Sequence, residues 1–302
     1  MPERGPPQHK VFLIMLSQVL FSGLALGSIY GLVALGFALI FKATEVFNFA
    51  QGMFVVCGAY FAVTAISGLH LPFALTLVFI VAAAALLGMV IQVVLIQPLS
   101  GRPMLSVIML TLALSIVLRA LIEIIYGPQG RTLTTPLPTG SFLIGGVRVS
   151  QLHLIAALVS WGCMAGFGAF FRFTSVGLLM RATANSHEAA MVSGINVNRM
   201  NRLAWAIGCV LAAIGGLFLG QLQLASVELE NIGLLALPAV VIGGLQSIPG
   251  AIVGGLLVGV IEQLASSYIS PKASDIMIYA PLLLVLMVRP WGLFGQRELG
   301  RV

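Results

Sequence analysis

Residues 172–202 read RFTSVGLLMRATANSHEAAMVSGINVNRMNR, the longest run between hydrophobic blocks in this chain. The run holds Arg172, Arg181, Arg199 and Arg202 against a single acid, Glu188. Apolar blocks flank it at about 151–171 and 203–224. From Met180 to Ser193 it has helix formers and no Gly or Pro, and Gly194 stands where a helix would stop. The pattern predicts a short helix outside the bilayer, on a basic loop between two spans. Basic loops stay in the cytoplasm. Two readings stand for that helix at this point: a contact for a cytoplasmic partner, or an ordinary solvated loop.

Outward from this loop, composition sets the class. The chain has 302 residues, of which 59% are hydrophobic and 8% charged, and its mean hydropathy is +1.08. Soluble domains carry about 25% charged residues. Most of this chain therefore lies in a membrane, with no room for a soluble catalytic domain. The net charge of +6 reads as membrane topology, not nucleic-acid binding. Cys57, Cys163 and Cys209 sit in apolar blocks without CxxC spacing, as buried small residues. The polar start, Met1 to Lys10, resembles a signal peptide, but the apolar run after it is too long for one and reads as an uncleaved first span.

Eight hydrophobic blocks are visible: 11–41, 49–68, 72–97, 105–126, 151–171, 203–224, 234–268 and 276–289. The first, at 31 residues, would make a helix of about 46 Å against a hydrocarbon core of about 30 Å. It carries Gly23, Gly27 and Gly31; the other long block carries Gly243, Gly244, Pro249 and Gly250, a strong turn signal. Splitting both blocks gives ten crossings. Arg4, Lys10, Lys42, Arg102, Arg172, Arg181, Arg199, Arg202, Arg289, Arg297 and Arg301 then lie inside, and Arg131, Arg148 and Lys272 outside. Eight single crossings would divide the same charges evenly, so the positive-inside rule favours ten. The expectation is an all-α integral membrane protein of about ten transmembrane helices, two of them short or broken, with both termini cytoplasmic. The loops 126–150 and 225–233 are external, the second with Glu228 and Glu230.

Glycines recur at GxxxG spacing: Gly23/Gly27/Gly31, Gly162/Gly166, Gly216/Gly220, Gly250/Gly254 and Gly255/Gly259. Lacking Cβ, they let helix backbones approach closely in lipid, so they point to a tight bundle. Ionisable residues inside the spans are few: Arg119, Glu123 and Glu262. Arg119 and Glu123 share a helix face and can pair. His187-Glu188 opens an HExxH pattern that Met191 breaks, and no lysine follows a glycine as a P-loop requires. From the residues alone the chain is a transport protein or channel, and a non-transporting membrane scaffold remains a rival.

Glu188-Ala189-Ala190 followed by Gly194 reads EAAxxxG and resembles the cytoplasmic coupling motif of ABC importer permeases. Arg181-Ala182 precedes it and Ile195-Asn196 follows it. Asn48-Phe49-Ala50-Gln51-Gly52, Val241 to Gly244, Ser247 to Ala251, Leu282 to Leu286, Arg289-Pro290 and Gly292 to Gly295 keep the same order. Together they resemble the Liv-type permeases of branched-chain amino acid importers over nearly the whole chain. The loop 126–150 matches least, and Gln51 stands where many such permeases have His.

That resemblance implies one membrane permease domain over 1–302, with a coupling loop at 172–202. Arg181, Glu188, Ala189, Ala190 and Gly194 are then the ATPase-coupling residues. Asn48, Gln51, Gly52, Gly243 and Gly244 are the substrate-pathway candidates, at the ends of short helices whose dipoles suit a zwitterion. The implied solutes are branched-chain or related amino acids, with urea or short amides as the alternative. The implied partners are two cytoplasmic ATPase subunits holding ATP and Mg, a second permease and an extracytoplasmic solute-binding protein. The implied place is the bacterial inner membrane; the chain itself is no enzyme and binds no cofactor or metal. An autonomous carrier or channel is the alternative from another class.

Overall fold

The computed structural model describes residues 8–144, 147–270 and 273–295. The helices in chain order are α1 (Gln8–Thr44), α2 (Gln51–Val63), α3 (Phe73–Ile91), α4 (Met104–Tyr126), α5 (Gln151–Phe173), α6 (Ser175–Asn185), α7 (His187–Val192), α8 (Val197–Leu222), α9 (Leu229–Leu234), α10 (Ala236–Gly243), α11 (Ile248–Tyr268) and α12 (Ala273–Val288). Seven of the described helices are long and apolar enough to cross a membrane, and Leu229–Gly243 and Ile276–Val288 are shorter apolar stretches. Helices satisfy their own backbone groups, which hydrocarbon cannot do. The chain is an all-α membrane protein. A hairpin that the sequence reading passed over pairs β1 (Ser141–Ile144) with β2 (Val147–Ser150) in the 126–150 loop. Gly145-Gly146 between the strands was the available signal.

The expected split of the first block does not occur: α1 is a single helix of 37 residues. Its three glycines are contact points, not breaks. They face α11, which runs antiparallel. A Cβ on Gly27 would lie 2.9 Å from Leu256 Cα, and one on Gly255 or Gly259 would overlap the backbone of Gly31 or Gly27. The second long block does break. Gly244 takes φ 110° between α10 and α11, a conformation that strains any residue with a Cβ. The same close packing joins α2 to α8, where a Cβ on Gly216 would overlap the Val55 carbonyl.

An unbroken α1 corrects the topology too. Its Phe12 ring is 6.3 Å from that of Tyr268, while at its other end the Ala43 carbonyl meets His187. So α1 starts at the end of the bundle opposite the 172–202 loop, against the expectation that both termini lie on the loop side. Residues 1–7 and 296–302 fall outside the described residues. Lys42, Arg102, Arg172, Arg181, Arg199, Arg202 and Arg289 still gather at the loop end, with Arg131 and Arg148 at the hairpin end.

Candidate functional site

The segment expected to couple to an ATPase forms two helices rather than the single one expected over 180–193. Thr174 caps α6, its hydroxyl accepting from the Gly177 amide at 3.0 Å. Ser186 leaves helical geometry at φ −163°, ψ 115° and caps α7, accepting from the Ala189 amide at 3.2 Å. Ser, Thr and Asn at such positions satisfy donors that a helix start leaves open. The far end of α7 closes equally well. The Gly194 amide donates to Met191 O and the Ile195 amide to Ala190 O, both at 3.0 Å. This is a Schellman ending around a left-handed residue, and Gly194 has φ 77°. A Cβ there would meet nothing within 4 Å, so backbone conformation and not crowding selects glycine.

Ala190 faces inward, 3% exposed, while Met191 and Val192 are 58% and 90% exposed. Glu188 and Ala189 are also exposed. Arg181 lies back along the bundle: its guanidinium donates to Arg172 O at 3.2 Å and sits 5.7 Å from the Phe171 ring centroid. His187, which sequence reading considered only as a failed zinc ligand, ties α7 to the end of α1 through Nε2 and Ala43 O at 3.0 Å. Met180 and Met200 pack with Leu35, Leu39 and Ala43 beneath it. The segment is therefore a knob tied to α1, with Met191 and Val192 as its exposed apolar tip.

The five pathway candidates fall in two places. Asn48 and Gln51 are both buried and bonded to each other, Asn48 Nδ2 donating to Gln51 Oε1 at 3.0 Å. Asn48 Oδ1 accepts from the Ala50 amide at 3.1 Å, and Gln51 Nε2 donates to Val33 O at 3.2 Å. They start α2 and fix it to α1. Gly52 packs against α9, where a Cβ would overlap the Glu230 carbonyl. Gly243 and Gly244 form the α10–α11 turn. The C-terminal tail covers that turn: Leu293 and Phe294 donate their amides to Ile242 O and Gly243 O at 2.9 Å.

At the hairpin end, Arg119 finds more than its expected partner. Its guanidinium lies 3.1 Å from Glu123, 3.5 Å from Glu230 and 3.9 Å from Glu228. The Ser115 hydroxyl donates to Glu230 as well. Glu228 and Glu230 come from the start of α9, Glu228 at its N-cap and Glu230 in its first turn, over a hundred residues away in sequence, so no local spacing betrays them. Arg119 is 43% exposed, and such pairs contribute about 0–1 kcal/mol each.

A family model described as the permease component of branched-chain amino acid transport systems matches residues 19–286. The high-affinity branched-chain amino acid transport system permease protein LivH of Salmonella typhimurium is 31% identical, over 96% of this chain and 99% of its own length. The permease protein BraD of the same kind of system in Pseudomonas aeruginosa is 32% identical, over 94% of this chain and 97% of its own length. A probable branched-chain amino acid permease of Methanocaldococcus jannaschii is 25% identical over 94% of this chain.

Proposed function

The chain belongs to the family of branched-chain amino acid transport permeases, and from that membership we propose that it is the membrane subunit of an ABC importer for such amino acids. Partner ATPases supply the ATP chemistry with Mg, a second permease completes the path, and a soluble binding protein delivers solute. The gathering of basic residues at the loop end supports placing that end in the cytoplasm of an inner membrane. The hairpin and the start of α1 then lie on the outer side.

The observation that carries this reading is α7. A soluble helix needs no exposed Met191 and Val192, and a free loop needs no Schellman ending or His187 anchor. An apolar, rigid knob at a membrane surface suits a partner that pushes on it. ATPase closure would displace α7 and, through His187 and the methionines beneath, move α1. Because α1 is packed backbone to backbone on α11, the two move together, a rigid-body change of the kind that rocks bundles between two states.

Gly194→Arg tests the coupling. The variant is expected to insert and fold, to co-purify poorly with the ATPases, and to lose most ATP-driven leucine uptake in proteoliposomes. Unchanged co-purification and uptake would remove α7 from the mechanism. Uptake by this chain alone, driven by an ion gradient, would move the protein to the class of autonomous carriers.

A further inference from the structure

Three membrane-spanning stretches meet end to end around one cavity on the arginine-rich side. Phe12–Thr44 and Gln151–Phe173 finish there, and Ile248–Tyr268 begins there. The cavity has a volume of about 800 Å³. Lys42, Arg172 and Arg181 line it, with Ser247 and Ile248 from the start of α11 and with Phe171 and Phe294. Because span ends meet around it, the cavity lies where hydrocarbon gives way to headgroups.

Its charge is uncompensated. Among the described residues no Asp or Glu lines it, and none of the three cations takes part in an ion pair. Two of them are held by neutral groups instead. Lys42 Nζ donates to Gln246 O at 3.2 Å. Arg181 donates to Arg172 O at 3.2 Å, its guanidinium 5.7 Å from the Phe171 ring centroid. A carbonyl fixes a cation in place without cancelling its charge. Lys42 and Arg181 are half-buried and Arg172 is exposed, so the cavity is a cleft open on one side.

A plainer role exists for two of these residues. Lys42 and Arg172 stand in the last turns of α1 and α5, where they complement the negative poles of those helices. Two such poles offset only about one unit of charge together, and the start of α11 adds back about half a positive unit. About two and a half positive charges remain around the cleft. Complementing helix ends therefore does not account for the cluster.

The surface leading away from the cleft is the second observation. Residues three and four apart share a helix face, so Leu158, Trp161, Ala165, Gly168 and Arg172 form one stripe along α5. All five are exposed, Leu158 at 63% and Trp161 at 47%. The stripe is apolar until it reaches the cleft, which Gly168 and Arg172 both line. A Cβ on Gly168 would meet nothing within 4 Å, so the way from cleft to stripe is clear. From Leu158 to Arg172 the stripe runs about 21 Å, enough for an acyl chain in one leaflet of about 15 Å.

We propose that this cleft holds the phosphate of an anionic phospholipid such as phosphatidylglycerol, on Lys42, Arg172 and Arg181, with an acyl chain along Ala165, Trp161 and Leu158. Basic pockets between transmembrane helices suit such headgroups. A zwitterionic headgroup would bring a cation to a cleft whose described lining has no acid to meet it. A free phosphate shares the anionic chemistry, but it has no use for an apolar stripe that ends on the cations. The bound lipid bridges the end of α1, α6 and the start of α11. Its assignment to the cytoplasmic leaflet rests on the orientation proposed above; its binding does not.

The test places the full chain in phosphatidylcholine nanodiscs containing a small, varied fraction of lipid with dibrominated acyl chains, and reads quenching of Trp161 fluorescence. Trp161→Phe supplies the background from Trp205 and Trp291. Dibrominated phosphatidylglycerol should reach half-maximal quenching at a mole fraction at least tenfold lower than dibrominated phosphatidylcholine. Lys42→Gln and Arg172→Gln should each raise that fraction about fivefold, the share one basic residue contributes beside anionic lipid. Arg199→Gln, at the same end, should leave it unchanged. Equal quenching by the two lipids overturns the proposal, and that comparison needs no variant. A preference that both cleft variants keep overturns it as well. Millimolar inorganic phosphate or sn-glycerol 3-phosphate, at matched ionic strength, should leave the preference intact; if either abolishes it, the cleft takes a soluble phosphate instead. If the cleft variants keep the lipid preference but no longer co-purify with the ATPases, the cleft takes a protein and the lipid assignment falls. The quenching is read on the lone chain without transport, so this claim and the proposed function fail separately.

Discussion

Gly27 and Gly31 on α1, with Gly255 and Gly259 on α11, have the same four-residue spacing as Gly162 and Gly166 on α5. The first set forms a seam in which a side chain on one helix would meet the backbone of the other. The second set faces open space, where an added Cβ would touch nothing within 4 Å. The glycine-free face of α5 is the one that packs, through Ala156, Ser160, Met164 and Phe167. Spacing therefore says that a helix can be approached closely; only the fold says whether anything in the same chain does so. In lipid, where tails are as apolar as leucine, the seam's stabilisation comes from that contact rather than from escape from water.

The largest effect should come from forcing bulk into the seam. Gly255→Leu would put a side chain into the α1 backbone. It should cost at least the upper end of the roughly 1–3 kcal/mol typical of overpacking. Fluorescence-detected size exclusion should show aggregated or unfolded material, and a monodisperse, heat-stable variant would mean that α1 and α11 are not joined this way. Gly194→Ala separates conformation from contact, because that position has room but a left-handed backbone. A loss of about 1 kcal/mol is expected, partly recovered by Gly194→Asn, and thermal melts of the three proteins would read it. A cost as large as that of Gly255→Leu would imply packing around Gly194 that the fold lacks. The smallest effect belongs to α5. Gly162→Leu combined with Gly166→Leu should shift the stability of the chain purified alone by no more than about 0.5 kcal/mol. A shift like that of the seam variant would erase the contrast.

The same contrast explains what could be read from the residues. Gly243, Gly244 and Pro249 were legible as a break because proline and paired glycine punctuate any helix. Gly23, Gly27 and Gly31 were not, since a helical glycine that packs and one that breaks look alike until a partner helix is placed. The wrong split then carried the start of α1 to the wrong end of the bundle. EAAxxxG marks the segment proposed for coupling, and its Gly194 ending follows from ordinary capping rules, but the interruption at Ser186 is not read from it although Asn-Ser there is a visible cap signal. Asn48 and Gln51 stand out in the sequence as residues at the end of a short helix. Their mutual bond and the Val33 carbonyl, eighteen residues upstream, depend on tertiary placement. So do the two glutamates that reach Arg119.

The tail that covers the α10–α11 turn bears on how this protein is made. A ribosome releases the turn well before Leu293 and Phe294, whose amides bond to the carbonyls of Ile242 and Gly243. All the long membrane helices can be threaded into the bilayer while that turn still lacks its cover. The stretch after α12 is thus the piece that covers the turn, and a product truncated before Leu293 would insert and yet present two bare carbonyls at the membrane surface. The turn and its cover thus emerge at different times, which gives a protease or chaperone a local mark by which a chain truncated before Leu293 differs from one that carries the covering stretch.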